Sequence, residues 1–307
     1  MARIVLKVDV DTLRGTREGV PTLLRLLDRA GVRATFLFSL GPDHTGRALK
    51  RVFRPGFLKK VSRTSVVEHY GLRTLMYGVL LPGPDIGRRA AATLRSARDA
   101  GCETGVHTWD HIAWQDHVRV RDAEWTRRQM QRSFARYAEV FGAAPVTHGA
   151  AGWQMNRYAF EQLDLNGIRY ASDGRGRAPY RLSIDGRPLA HIQMPTTLPT
   201  IDELIGVGDI RADNVADHLL SLTSERASSA KAGSGGDRDQ VFTLHAELEG
   251  GKLAPAFARL LDGWRAQGHT LLTMGDYHAT LDTAALPVQA LHWGSVAGRS
   301  GQLIVQS

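Results

Sequence analysis

The sequence predicts an α/β protein built on parallel strands, and three observations lead there. Apolar runs rich in β-branched residues alternate with stretches of helical periodicity, the strand–helix–strand order of a parallel sheet. The 307 residues suffice for two small domains or for one large α/β barrel, and either buries a full core. Aspartate and histidine recur where the inferred strands run out, which in such barrels is the face that carries active sites.

Ile4 to Val10 is almost continuously apolar, as a buried parallel strand should be, and leads into Asp9-Val10-Asp11. Residues two apart on a strand face the same way, so the two carboxylates project together. They repel unless a cation lies between them or one is protonated, the alternative being a solvated turn. Thr16 to Ala30 has Val20, Leu23, Leu24, Leu27 and Ala30 at helical spacing, with Gly31 as its stop. Ala34 to Leu40 is a second buried strand, followed by the loop Gly41 to Arg47.

Residues 48 to 83 break this rhythm. Lys50, Arg51, Arg54, Lys59, Lys60 and Arg63 alternate with apolar residues, and Leu72 to Leu81 is strongly apolar. Basic amphipathic segments with aromatic residues have the composition of a helix lying in a membrane interface. An insertion packed on the core, its cations reaching out to solvent, has the same composition.

Asp85 to Ala100 reads as a helix ended by Gly101, and Cys102 to Val106 as a short strand delivering His107. Asp122 to Phe141 is a long helix, and Pro145 to His148 a strand leading into Gly149-Ala150-Ala151-Gly152-Trp153. Asn156 to Leu165 is helical; Ile168 to Ser172 is a strand ending at Asp173, with Arg175 and Arg177 in the glycine-rich loop beyond. Leu189 to Pro195 is a strand and Asp213 to Arg226 a helix, while Ser228 to Asp239 reads as a flexible surface connection. The buried strand Gln240 to Glu247 carries His245 and Glu247 at its end, before the helix Pro255 to Gln267 and a last strand, His269 to Met274.

His107 and His111 form a candidate metal clamp. On a helix, that spacing puts both imidazoles on one face about a turn apart. Zincins place a glutamate directly after the first histidine; here Thr108 stands there, so a base and a third ligand must come from elsewhere. The single cysteine, Cys102, excludes an intramolecular disulfide and a cysteine-based zinc site. A formal charge of +8 suits an anionic partner such as nucleic acid, a phosphate-bearing substrate or an anionic membrane, although arginine-rich genomes produce the same bias. The N-terminal apolar run is too short, and Asp9 comes too early, for a signal peptide. No window offers the roughly 18 uninterrupted apolar residues of a spanning helix, so a cytoplasmic protein is expected.

Asp9-Val10-Asp11, His107-Thr108-Trp109-Asp110-His111 and Thr243-Leu244-His245 together resemble the motifs of the polysaccharide deacetylase (NodB-homology) family. The first is similar to its spaced D-x-D variant, and the second matches H-[ST]-x-x-H at every place. The resemblance implies a distorted barrel of about seven parallel strands, with residues 1–307 as one domain and 48–83 as a helical insertion. It implies a hydrolase in which Asp9 is the base and Asp11, His107 and His111 bind one divalent ion, leaving positions open. His245 would be the acid, and Glu247, two residues on, would hold the far nitrogen of that imidazole. One carboxylate and two imidazoles suit zinc best, with cobalt, nickel, manganese and iron also compatible.

Longer stretches narrow the resemblance. Val8 to Pro21, Gly41-Pro42-Asp43, Gly46-Arg47, Ala150 to Trp153, Ser172-Asp173 with Arg175-Gly176, and His245-Ala246-Glu247 with Glu249-Gly250 are similar to one branch of the family. That branch removes a formyl group from an amino-arabinose carried on undecaprenyl phosphate, in lipid A modification. It implies an undecaprenyl-phosphate-linked sugar as substrate, peripheral contact with the anionic inner membrane, and no nucleic acid. Arg14, Arg17, Arg175 and Arg177 become candidates for holding the phosphodiester, with solvated loop arginines as the alternative. Asp173, Trp109 and Trp153 are candidate substrate contacts, the tryptophans otherwise being packing residues. The wider family orients its base aspartate with an arginine–proline motif. Thr147 to Trp153 stands in that region without an arginine, so Arg175 or Arg177 is expected to take over. Two rival readings are another carbohydrate N-deacetylase and a basic membrane- or nucleic-acid-binding module with a degenerate site.

Overall fold

A computed structural model describes residues 2–48, 71–229, 238–299 and 301–307. Most of the basic amphipathic stretch, 49–70, and the centre of the Ser/Gly-rich connection, 230–237, lie outside the described residues.

The core is a mostly parallel sheet with helices packed against it. Its strands are β1 (Arg3–Val10), β2 (Thr35–Ser39), β3 (Glu103–Thr108), β4 (Thr147–His148), β5 (Tyr170–Ala171), β6 (Tyr180–Ile184), β7 (Arg187–Gln193), β8 (Gln240–His245), β9 (Thr270–Leu272) and β10 (Val288–Ala290). Their order is β10-β6-β7-β5-β4-β3-β2-β1-β8, with β9 also paired to β1, and β6–β7 is the antiparallel pair among them. A separate antiparallel pair, β11 (His292–Gly294) and β12 (Leu303–Val305), lies near the C-terminus.

Burial explains why β1 could be read from sequence: Ile4 to Val10 is covered on both faces, so nothing selects for alternation. Ile4, Leu6, Val8 and Val10 pack with Leu23, Leu27, Phe257 and Leu260 of the helices Val20–Ala30 and Ala254–Ala266. On the other face Val5 clusters with Tyr170 of β5 and Ile192 of β7. Those strands are well separated from β1 in the pairing order, so the sheet curls, and Val5, Lys7 and Asp9 face its interior. The pairing path runs from β10 to β8 without closing among the described residues.

Several boundaries differ from expectation for local reasons. The stretch Asp85 to Ala100 is two helices, Ile86–Arg89 and Ala91–Asp99, separated by Ala90 outside the helical region. The last inferred strand stops at Leu272, and Thr273 caps a helix, Met274–His278, through the Asp276 N–H. The helix expected from Thr16 begins as a π-helical turn, Gly15–Gly19. A Cβ on Gly15 would stand 2.0 Å from Glu247 Oε1, and one on Gly19 2.0 Å from the Ala246 carbonyl oxygen, so glycine permits this close approach to the turn after β8. β6 was not expected, because Arg181 and Ser183 interrupt its apolar residues. The signal was Asp185-Gly186, both with positive φ, the two-residue turn of a hairpin onto β7.

Candidate metal centre and active site

β1, β3 and a short helix deliver three ligating groups to one point. Asp11 lies just past β1, His107 is on β3, and His111 is the first residue of the helix His111–His117. The histidine pair therefore does not lie on one helix. Asp110 ends the intervening turn and caps the helix, its Oδ1 accepting from the Ala113 N–H at 3.0 Å. His44 Nδ1 donates to the other oxygen of Asp110 at 2.6 Å. The two imidazoles still stack, 5.4 Å apart, and their Nε2 atoms lie 3.2 Å (His107) and 3.3 Å (His111) from the two oxygens of Asp11. The candidate ligand atoms all fall within 4.8 Å of one another.

The residues fit a divalent ion in detail. His107 Nδ1 donates to the Gly149 carbonyl oxygen at 2.6 Å, and since that oxygen only accepts, the lone pair is left on Nε2, toward Asp11. Asp11 Oδ1 and Asp9 Oδ1 are both buried and accept no hydrogen bond. A buried acceptor left bare costs about 1–3 kcal/mol, and more when charged, which a cation here would offset. Burial works to raise the pKa of Asp11, but His111, His107 and His245 prevail and hold its carboxyl below the usual range. Burial likewise works against protonated His107, yet Asp9 and then Asp11 raise its pKa. Carboxylate and imidazole charges are thus concentrated where water is excluded.

Asp9 and His245 sit side by side, since they are register partners on β1 and β8. Asp9 is buried, with Oδ1 3.9 Å from His107 Nδ1 and Oδ2 3.3 Å from Lys7 Nζ. Neither Arg175 nor Arg177, the expected partners, pairs with it. Lys7 was missed in the sequence, although its signal was there: a lysine inside an apolar strand, two residues before Asp9 and on its face. His245 Nδ1 is buried without a hydrogen-bond partner.

Glu247 does not hold the His245 ring. Its Oε1 accepts from the Asp11 N–H (3.1 Å), the Thr12 N–H (2.8 Å) and the Thr12 hydroxyl (2.8 Å), bracing the loop that carries the ligand aspartate. Asp43 holds the same loop from the other side, accepting from the Leu13 N–H at 2.9 Å. The carboxylate at His245 is Glu249, whose Oε2 accepts the His245 backbone N–H at 2.7 Å. Burial, followed by the charge of Asp11, pushes the Glu247 pKa well up; burial pushes that of Glu249 up to about 7.

The expected substrate contacts divide into internal and exposed groups. Asp173 is fully buried, accepting from His148 Nδ1 at 2.6 Å and Gln193 Nε2 at 2.8 Å. Arg175 is also buried, donating to Glu203 Oε1 (2.6 Å) and the Leu198 carbonyl (3.0 Å). Trp153 is a packed ring with Arg175, Arg299 and Lys7 at 4.8, 4.7 and 5.5 Å from its centroid. All three are packed inside the protein, as Asp9 and His107 are. Trp109 is half-buried beneath Arg136, 5.3 Å away. Arg17 and Arg177 are exposed; Arg14 is half-buried, paired with Glu18 at 2.8 Å, and lines a cavity of about 300 Å³ with Lys252 and Gly250.

Comparison with known proteins places the chain in a family. The sequence profile of a family described as polysaccharide deacetylase matches residues 3–171. A Shewanella sediminis (strain HAW-EB3) protein named "Probable 4-deoxy-4-formamido-L-arabinose-phosphoundecaprenol deformylase ArnD" is 36% identical over 261 residues, 85% of this chain and 81% of that one. A Wigglesworthia glossinidia brevipalpis protein of the same name is 27% identical over 95% of this chain and 98% of its own length. Among solved structures, one from Mycobacterium smegmatis, described as a polysaccharide deacetylase, superposes with a TM-score of 0.64 at 19% identity, covering 96% of this chain and 95% of that one. The allantoinase PuuE superposes at 0.58 and 16% identity, covering 91% of each chain. The two superpositions bear on the fold alone, a mostly parallel α/β sheet. With a profile spanning more than half of its length and relatives along most of it, this chain belongs to the polysaccharide deacetylase family.

Proposed function

We propose that this protein is a metal-dependent amidohydrolase that removes the N-formyl group of 4-deoxy-4-formamido-L-arabinose linked to undecaprenyl phosphate. Its products are formate and the amino-sugar lipid used in lipid A modification. The observation that carries the reading is the convergence of Asp9, Asp11, His107, His111 and His245 at the ends of β1, β3 and β8 and the start of the helix after β3, in a chain 36% identical to a protein named for that reaction. Asp11 and the Nε2 atoms of His107 and His111 would hold one divalent ion, which zinc suits best. When bound, the ion supplies Lewis acidity, acidifying water and polarising the amide oxygen.

The chain's own groups do the rest. Asp9 accepts a proton from the attacking water through its free Oδ1, and His245 gives a proton to the departing sugar nitrogen. The Gly149 carbonyl keeps His107 in the tautomer with Nε2 unprotonated. Glu247 and Asp43 hold the 11–13 loop, so that Asp11 keeps its place. Exposed Arg17 and Arg177, with half-buried Arg14, are the arginines left to meet the substrate phosphate.

The lipid substrate also calls for a membrane contact. Among the described residues no helix is long and apolar enough to cross a bilayer. Leu72, Val79 and Leu80, however, are 68%, 53% and 75% exposed at the end of the 48–83 segment, which supports peripheral docking on the anionic cytoplasmic leaflet. Flotation with anionic liposomes tests this: deleting residues 48–83 should abolish co-flotation, and equal flotation of both forms would reject docking. Formate release from the lipid-linked formamido sugar, beside acetate release from N-acetylated oligosaccharides, tests the reaction. Release of acetate alone would favour another carbohydrate N-deacetylase, which the family profile equally supports.

A further inference from the structure

We infer that Lys7 is a positioning residue for Asp9, its sealed ammonium holding one carboxylate oxygen so that the other faces the reacting water. The inference rests on the reading above, in which Asp9 is the base.

Lysine is almost never fully buried, because desolvating an ammonium is costly unless something in the interior answers its charge. Lys7 has no exposed surface at all. Its Nζ lies 3.3 Å from Asp9 Oδ2, donates to the Ser172 carbonyl oxygen at 3.2 Å, and stands 5.5 Å from the centre of the Trp153 ring. Ser172 follows β5, across the curled sheet from β1, so the ammonium is tethered from the far wall as well as through its own stem. Space for that stem is provided by a glycine: a Cβ on Gly149 would come within 3.1 Å of Lys7 Cε and 2.3 Å of Leu37 Cδ1.

The arrangement is asymmetric in a way that a purely structural ion pair does not require. Oδ2 of Asp9 takes the cation, while Oδ1 is buried and accepts no hydrogen bond. The neighbouring arginines cannot substitute, since Arg175 and Arg299 are both committed to Glu203 at 2.6 Å. Lys7 and Asp9 share one strand face, so the pair is set by β1 itself and needs no loop to close. Removing the ammonium frees the carboxylate to rotate, and small displacements of a reacting group cost large factors in rate.

The test uses the full chain with bound metal and the lipid-linked formamido sugar as substrate. Lys7→Met keeps most of the stem and removes the charge. It should fold, retain the wild-type metal content, change KM less than about threefold and lower kcat by roughly 10²-fold. Lys7→Arg, which restores a cation to Asp9, should recover kcat to within about tenfold of the parent. In an Asp9→Asn background, Lys7→Met should cause no further fall. A metal-loaded Lys7→Met within about threefold of wild-type kcat would overturn the inference, as would a fall that tracks lost metal. If Lys7→Met does not fold, Lys7→Arg decides: a folded, metal-loaded Arg variant that remains about 10²-fold slow overturns it. Full activity of Asp9→Asn is a different failure, since it removes Asp9 as the base.

Discussion

Two ionic clusters meet at the Trp153 ring, and they differ in how completely their charges are answered. In one, Glu203 takes Arg175 and Arg299 on Oε1, while its Oε2 accepts the Thr200 N–H at 3.0 Å. In the other, Asp9 and Asp11 each keep a buried oxygen without a donor, and Lys7, His107 and His111 crowd around them. The first is a finished internal network. The second is complete only when something else arrives, which marks it as the functional site. The sequence singles out the aspartates and histidines of the second cluster, but it also offers Arg175 of the first as a substrate contact.

The largest effect should come from the open cluster. His107→Ala is expected to lose bound metal and at least ~10³-fold in formate release, and Asp9→Asn a comparable factor with the metal retained. Asp9→Asn should also lower stability, since it leaves the sealed Lys7 ammonium without its countercharge. Metal analysis, activity and thermal unfolding measured on the same preparations would reveal the split. Full activity in either variant contradicts the proposed mechanism.

In the closed cluster, stability should fall while activity is kept. Glu203→Ala strips the shared partner from two arginines and is expected to cost about 3–5 kcal/mol in stability. Molecules that remain folded should hydrolyse substrate within about threefold of the wild-type rate. Denaturant unfolding reads the first quantity and initial rates at low temperature the second. A large fall in kcat without destabilisation would place Glu203 in the catalytic machinery and erase the contrast.

Glu249, beside the open cluster, gives a pH signature. Burial raises its carboxyl from 4.5 to about 7, so the folded state favours the protonated form. A raised folded-state pKa contributes stability that is fully present below about 4.5 and lost as pH rises through about 7. At about 1.4 kcal/mol per pH unit, the loss amounts to about 3 kcal/mol. Glu249→Gln should flatten that part of the stability–pH curve, its carbonyl oxygen still accepting the His245 N–H. Parallel curves for the two proteins between pH 4.5 and 8 would show that Glu249 is not the group responsible.

What was legible in the sequence follows from which signals are local. β1 announced itself because burial on both faces leaves a continuous apolar run, and Asp9, Asp11, His107, His111 and His245 stood out because reactive residues at strand ends are few. The role of Glu247 was misjudged because β8 ends at His245: a two-residue spacing means a shared face only while the strand continues. Its contacts are with residues 235 and 236 positions earlier, a distance no spacing rule spans. Arg175 was misplaced for the same reason, its partner Glu203 lying 28 residues on. Lys7 was legible in principle, as a charge in a strand otherwise apolar until its end.

The smallest effect joins the two clusters in one measurement. A ligand that binds only the folded state stabilises it by RT ln(1 + [L]/Kd), about 2.7 kcal/mol at a concentration 100 times Kd. Zinc added to metal-free protein should therefore raise the unfolding temperature progressively with concentration. The rise should disappear in His107→Ala, because two ligands do not replace three, and persist in Glu203→Gln, whose network does not touch the ion. In Lys7→Met it should also persist, since Lys7 pairs with Asp9 and not with Asp11. A zinc response that survives His107→Ala would mean that the ion is held elsewhere. The unanswered oxygens of Asp9 and Asp11 would then need a different explanation.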